Sequence, residues 1–70
     1  MNLTVNGKAA EVAQDALSVT RLLEELQVAQ REYVTVELNG DILDRADFDA
    51  ITVKDGDTVE FLYFMGGGSL

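Results

Sequence analysis

The sequence predicts an α+β domain, a mixed sheet of four to five strands with one main helix packed on one face. Three observations carry this. Two Asn-Gly pairs, Asn6-Gly7 and Asn39-Gly40, follow alternating apolar residues, a strong short-range hairpin signal. One stretch places Val19, Leu22, Leu23 and Leu26 at i, i+3, i+4 and i+7, which is one face of a helix. The run Thr58 to Met65 is rich in β-branched and aromatic residues, as strands are.

Each element follows in order. Met1, Leu3 and Val5 alternate with Asn2 and Thr4, the period of a half-buried strand. Asn6-Gly7 turns the chain, because a type I′ turn needs φ > 0 at both central residues, and Lys8 to Val12 returns. Gln14-Asp15-Ala16 reads as a loop. Ser18 is a plausible N-cap for a helix over about 18–29, although Arg21 stands where a capping box would want Glu. Val34, Val36 and Leu38 alternate as a third strand. Asn39-Gly40 is the second turn, and Asp41-Ile42-Leu43 a short return strand. Arg45 to Ala50 is polar except for Phe48 and the two alanines, and is expected to hold one helical turn anchored by Phe48. Asp55-Gly56-Asp57 is a tight turn into the last strand. The helical crossover between the hairpins lets the first and last strands lie side by side. Residues 1–65 form the expected domain, and 66–70 a flexible glycine-rich tail.

Composition narrows the chemistry. Seventy residues allow one domain. There is no Cys and no His. Disulfides, thiolate and imidazole metal sites, and Cys–His or Ser–His–Asp catalysis are therefore excluded. Five basic against thirteen acidic side chains give a net charge of −8. That charge disfavours nucleic acid and anionic membrane, and favours a partner with a basic face. No long apolar run suggests a transmembrane helix, and no basic-then-apolar start suggests a signal peptide. A cytoplasmic protein is expected.

Three groups of residues are candidates for chemistry. Asp41, Asp44, Asp47 and Asp49 lie close together, but Ile51 falls where a calcium loop needs a ligand, and the loop's glycine is missing. They read as a solvated acidic face, with no metal. The hydroxyls Thr4, Ser18, Thr20, Thr35, Thr52, Thr58 and Ser69 have no nearby base to activate them. The remaining candidate is the tail, Gly66-Gly67-Gly68-Ser69-Leu70. Three glycines add no packing and maximise backbone freedom. They are either a frayed end or an arm that enters a partner's narrow active site, with a main-chain carboxylate as the reactive group.

Alternation along the last strand assigns its faces. Val59 and Phe61 are placed inward, with Met1, Leu3, Val5, Val34, Val36 and Leu38. Leu62 and Phe64 are then left on an open face beside the tail, with Met65 next to them. These three form a candidate docking surface.

The short acidic chain, the hairpin–helix–hairpin order, the Asp55-Gly56-Asp57 turn and the closing strand running into Gly67-Gly68 resemble the small sulfur carriers of the ubiquitin-like β-grasp fold. The nearest likeness is to the ThiS family of thiamine biosynthesis, over essentially the whole chain. The resemblance implies a non-enzymatic protein with no bound cofactor. An activating enzyme, using ATP and magnesium, would adenylate the carboxylate of Gly68. A sulfur donor would convert it to a thiocarboxylate, and thiazole synthase would receive the sulfur. Gly66 and Gly67 would thread the arm. Family members end at Gly-Gly, whereas Ser69 and Leu70 follow here. Either a protease trims them, or they are a cloning remnant, or the chain is never activated. Two alternatives remain at this point: a carrier of the molybdopterin-synthase small-subunit type, whose usual prolines are absent here, and a β-grasp interaction module that is never acylated.

Overall fold

The computed structural model describes residues 1–63. Strands β1 (Asn2–Val5) and β2 (Lys8–Glu11) form the first hairpin. A short β3 (Ala16–Ser18) leads into helix α1 (Val19–Glu25). Strands β4 (Thr35–Leu38) and β5 (Asp41–Ile42) form the second hairpin. A 3₁₀ turn at Arg45–Asp47 precedes β6 (Thr52–Lys54) and β7 (Thr58–Leu62).

Five strands make one mixed sheet in the order β2-β1-β7-β4-β5. The last strand is its centre. It runs parallel to β1, with Thr4 beside Thr58 and Val5 beside Val59. It runs antiparallel to β4, with Leu38 opposite Val59 and Thr35 opposite Leu62. The parallel pair is possible because α1 supplies the long crossover that such a pair requires.

Both Asn-Gly turns have the expected geometry, with φ of 51° and 82° at Asn6 and Gly7, and 52° and 91° at Asn39 and Gly40. Leu22, Val19, Leu23, Leu3, Val34, Val36 and Val59 interlock between helix and sheet, joined by Phe48 and Val53. Met1, Val5, Leu38 and Phe61 pack at the rim of that core. Phe48 anchors the 3₁₀ turn, and the Arg45 guanidinium lies 5.2 Å from its ring centre.

Two sequence expectations need correction. The helix is much shorter than 18–29. It begins as expected, with the Ser18 hydroxyl accepting from the Arg21 N–H at 3.1 Å. It ends at Glu25, because Gln27 turns left-handed at φ 54°. The N–H of Gln27 then donates to Glu24 and that of Val28 to Leu23, at 3.1 and 3.0 Å. This pair of hydrogen bonds closes the helix as a Schellman motif, with Leu23 in the core and Val28 packed against it. Glycine usually marks this stop, and glutamine gives no such signal. Replacing Gln27 with Gly should relieve the left-handed strain. We expect a gain of roughly 0.5–1 kcal/mol, read as a melting temperature raised by a few degrees.

The second correction concerns Ala16, read as the end of a loop that Gln14 and Asp15 do form, and the unassigned residues before Asp55. Ala16–Ser18 pairs antiparallel with Thr52–Lys54 in a separate two-stranded sheet. Each strand is three residues long and contributes one inward apolar residue, Leu17 or Val53. That is too short for alternation to show.

Candidate functional site

The sequence places the functional end of the molecule where β7 runs out. Gly66, Gly67 and Gly68, with Phe64 and Met65, lie outside the described residues. The strand that carries them is described, and so is what fixes it.

Both turn asparagines grip β7. The Asn6 N–H donates to the Val59 carbonyl at 2.9 Å, and its side-chain Oδ1 accepts from the Phe61 N–H at 2.8 Å. The Asn39 N–H donates to the Thr58 carbonyl at 2.7 Å, and its Oδ1 accepts from the Thr58 N–H at 2.8 Å. Asparagine suits both tasks, since it tolerates left-handed φ and carries an acceptor. Asn6 thereby continues the parallel ladder past the end of β1.

At the start of β7, Asn39 also donates through Nδ2 to Asp57 Oδ1 at 3.0 Å, and the Lys54 N–H donates to Asp57 Oδ2 at 2.9 Å. Asp57 is 7% exposed. Burial alone would raise its carboxyl. The Asn39 and Lys54 hydrogen bonds and the Lys54 charge outweigh that, and hold the carboxyl below its ordinary value. A depressed acid stabilises the fold fully above its unfolded value, near pH 4, and loses that contribution as pH falls through the folded value. Asp57→Asn turns an acceptor toward a donor. At neutral pH it should cost about 1–3 kcal/mol. The gap from wild type should narrow below about pH 4, which thermal unfolding across a pH series would show.

The two faces of β7 differ. Toward the helix, Phe61 packs beside Val5, Leu26 and Val28 around a shallow depression of about 350 Å³ that Asn6 and Tyr63 complete. Tyr63 is 45% exposed, and its hydroxyl donates to the Ala29 carbonyl at 2.7 Å. On the opposite face Leu62 is half-buried beside Thr35. Glu60 stands directly across from Glu37, which also faces Ile42, an apolar side chain 64% exposed. Like charges directly opposite are destabilising. This face is therefore apolar at its edges and acidic between them.

The carboxylates of the Asp41–Asp49 segment are put to local use or left in solvent. Asp49 accepts a hydrogen bond from the Thr20 hydroxyl, and Asp41, Asp44 and Asp47 are exposed. Among the described residues no three acidic side chains converge on a metal-binding arrangement, and no helix is long and apolar enough to cross a membrane. What the described part does is hold β7 at the centre of the sheet from both sides. The asparagine grips and the Tyr63 contact were not legible as such, since Asn-Gly announces a turn and says nothing of a third strand.

A small β-grasp domain with its C-terminal strand at the centre of the sheet is the architecture of a ubiquitin-like protein. The chain belongs to the ThiS family, sulfur carriers of thiamine biosynthesis, whose family model matches residues 3–68. It is 30% identical over 66 residues to the sulfur carrier protein ThiS of Bacillus subtilis, covering 94% of this chain and 98% of that one. It is 38% identical over 69 residues to a thiazole synthase of Paramagnetospirillum magneticum. There the chain spans 99% of its own length but only 21% of the relative's. The crystal structure of a thiamine biosynthesis protein (ThiS) from Geobacter metallireducens shares 70% identity, with a TM-score of 0.92 over 97% of this chain and all of that one. A solution structure of a thiamine biosynthesis protein from the same organism shares 69% identity, with a TM-score of 0.79 over all of this chain and 91% of that one.

Proposed function

We propose that this protein carries sulfur on the main-chain carboxyl of Gly68 and delivers it for thiazole formation in the cytoplasm. The observation that carries the reading is the family match, which runs to Gly68 and stops there. A chain without Cys or His has no side chain suited to hold reactive sulfur, whereas a terminal carboxyl can. The carboxylate attacks the α-phosphate of ATP on a magnesium-dependent activating enzyme, and pyrophosphate leaves. A sulfide-level nucleophile from a donor then attacks the acyl carbon, AMP leaves with the bonding pair, and the acyl group keeps the sulfur as a thiocarboxylate. Gly66 and Gly67 let the arm thread a narrow tunnel, because they have no side chain to block it. The likeness to part of a thiazole synthase supports that enzyme as the recipient. Chemistry at Gly68 requires a free carboxylate, so the Gly68–Ser69 bond must first be hydrolysed.

The test mixes the chain, as given and trimmed to Gly68, with ATP, magnesium, a sulfur donor and an activating enzyme. Intact mass should show an adenylate and then one oxygen replaced by sulfur, in the trimmed form alone. A trimmed form that gave neither product would sink the reading.

Docking would use the open face, with Leu62, Phe64 and Met65 as its apolar part and the Glu37–Glu60 pair seeking basic side chains. Leu62→Asp should weaken binding to the activating enzyme by about tenfold, the scale of a moderate interface contact, and leave the circular dichroism spectrum unchanged. Unfolding instead would show that Leu62 supports the core.

A further inference from the structure

We propose that Tyr63 is a positioning residue for the carrier arm: its hydroxyl, bound to the Ala29 carbonyl, fixes the point from which the arm leaves the sheet. The inference rests on the reading of Gly68 as the loaded group. Strand β7 ends at Leu62, so Tyr63 is the first residue past the ladder. It is nonetheless tied, across 34 positions of sequence, to the segment just after the helix. That segment is itself fixed. Val28 closes the Schellman motif by its bond to Leu23, and Leu26 and Val28 pack against the core.

Phe61 and Tyr63 line the same depression with Leu26 and Val28. One is held through its backbone by Asn6, the other through its side chain by Ala29. Consecutive same-face residues at the strand end are thus both secured. Five residues, 64–68, separate Tyr63 from the Gly68 carboxyl, a reach of at most about 18 Å. If Leu62 and Tyr63 came loose, the arm would gain two residues, about 7 Å of slack. The carboxylate would search a larger volume, and its effective concentration at a partner's active site would fall. The groups that react would be unchanged.

Tyr63→Phe removes the hydroxyl and keeps the ring. Losing one such hydrogen bond corresponds to roughly a three- to tenfold change in an equilibrium. With carrier trimmed to Gly68, KM for adenylation should rise by that factor while kcat holds. In the full-length chain, hydrogen exchange at the Leu62 and Tyr63 amides should quicken, with core amides such as Val36 unaffected. An unchanged or lowered KM, or a fall confined to kcat, would overturn the proposal. Failure of the trimmed chain with Tyr63 intact to be adenylated would remove the carrier reading instead. The exchange measurement would then decide alone, and unaltered exchange at Leu62 and Tyr63 would dismiss the anchor.

Discussion

Gly67→Val is expected to abolish sulfur loading at Gly68 while leaving the domain folded. Glycine has no side chain, so the substitution removes no side-chain contact. Its melting temperature should match that of wild type. If the Gly68 carboxyl reacts in a partner's tunnel as proposed, a branched side chain one residue away would meet the tunnel walls and shift the carboxylate away from the α-phosphate. Misplacement by about 1 Å can cost on the order of 100-fold in rate, and a β-branched residue also restricts the backbone that the tunnel must grip. Adenylate formation, followed as ATP–pyrophosphate exchange, should fall by at least that factor. Loading at the wild-type rate would mean that the arm is not read closely at this position. Gly67 would then be a spacer only.

The largest structural effect should come from Leu22→Ala. Leu22 is fully buried at 0% exposure, at the centre of the helix–sheet contact. Truncating such a leucine costs about 2–5 kcal/mol through lost transfer energy and the cavity left behind. A domain of this size commands roughly 3–10 kcal/mol in all. The variant should melt lower by at least about 10 °C and should unfold at markedly lower urea concentration. A drop of only a degree or two would show that neighbouring side chains collapse into the space. Leu26, at the rim of the same stripe, should cost less when truncated.

Elements set by patterns within a few residues were legible in the sequence. Alternation at Leu3 and Val5, and at Val34, Val36 and Leu38, gives both strands and their inward faces, and all five residues lie in or against the core. The spacing of Val19, Leu22, Leu23 and Leu26 gives the helix and its buried side. The parts that escaped are fixed by tertiary contacts. Gln27 accepts a left-handed conformation because two hydrogen bonds and the packing of Val28 against the core offset its cost. The β3–β6 pair exists because Leu17 and Val53 complete the core from either side of the chain. For the functional end, the glycines and the family likeness were readable. The anchoring of β7 by Asn6, Asn39 and Tyr63 was not, since each contact joins residues far apart in sequence.

The central position of β7 has a consequence for biosynthesis. It is the last of the described elements in chain order, yet β1 and β4 meet only through it. Before residues 58–62 emerge, the two hairpins have no common partner, and the sheet cannot close. Strand pairs so distant in sequence form late, because the loop must be closed before the contact rewards it. A nascent chain stalled before this strand would therefore remain unfolded and open to proteolysis. The domain completes its fold only once residues 58–62 are available to join the two hairpins.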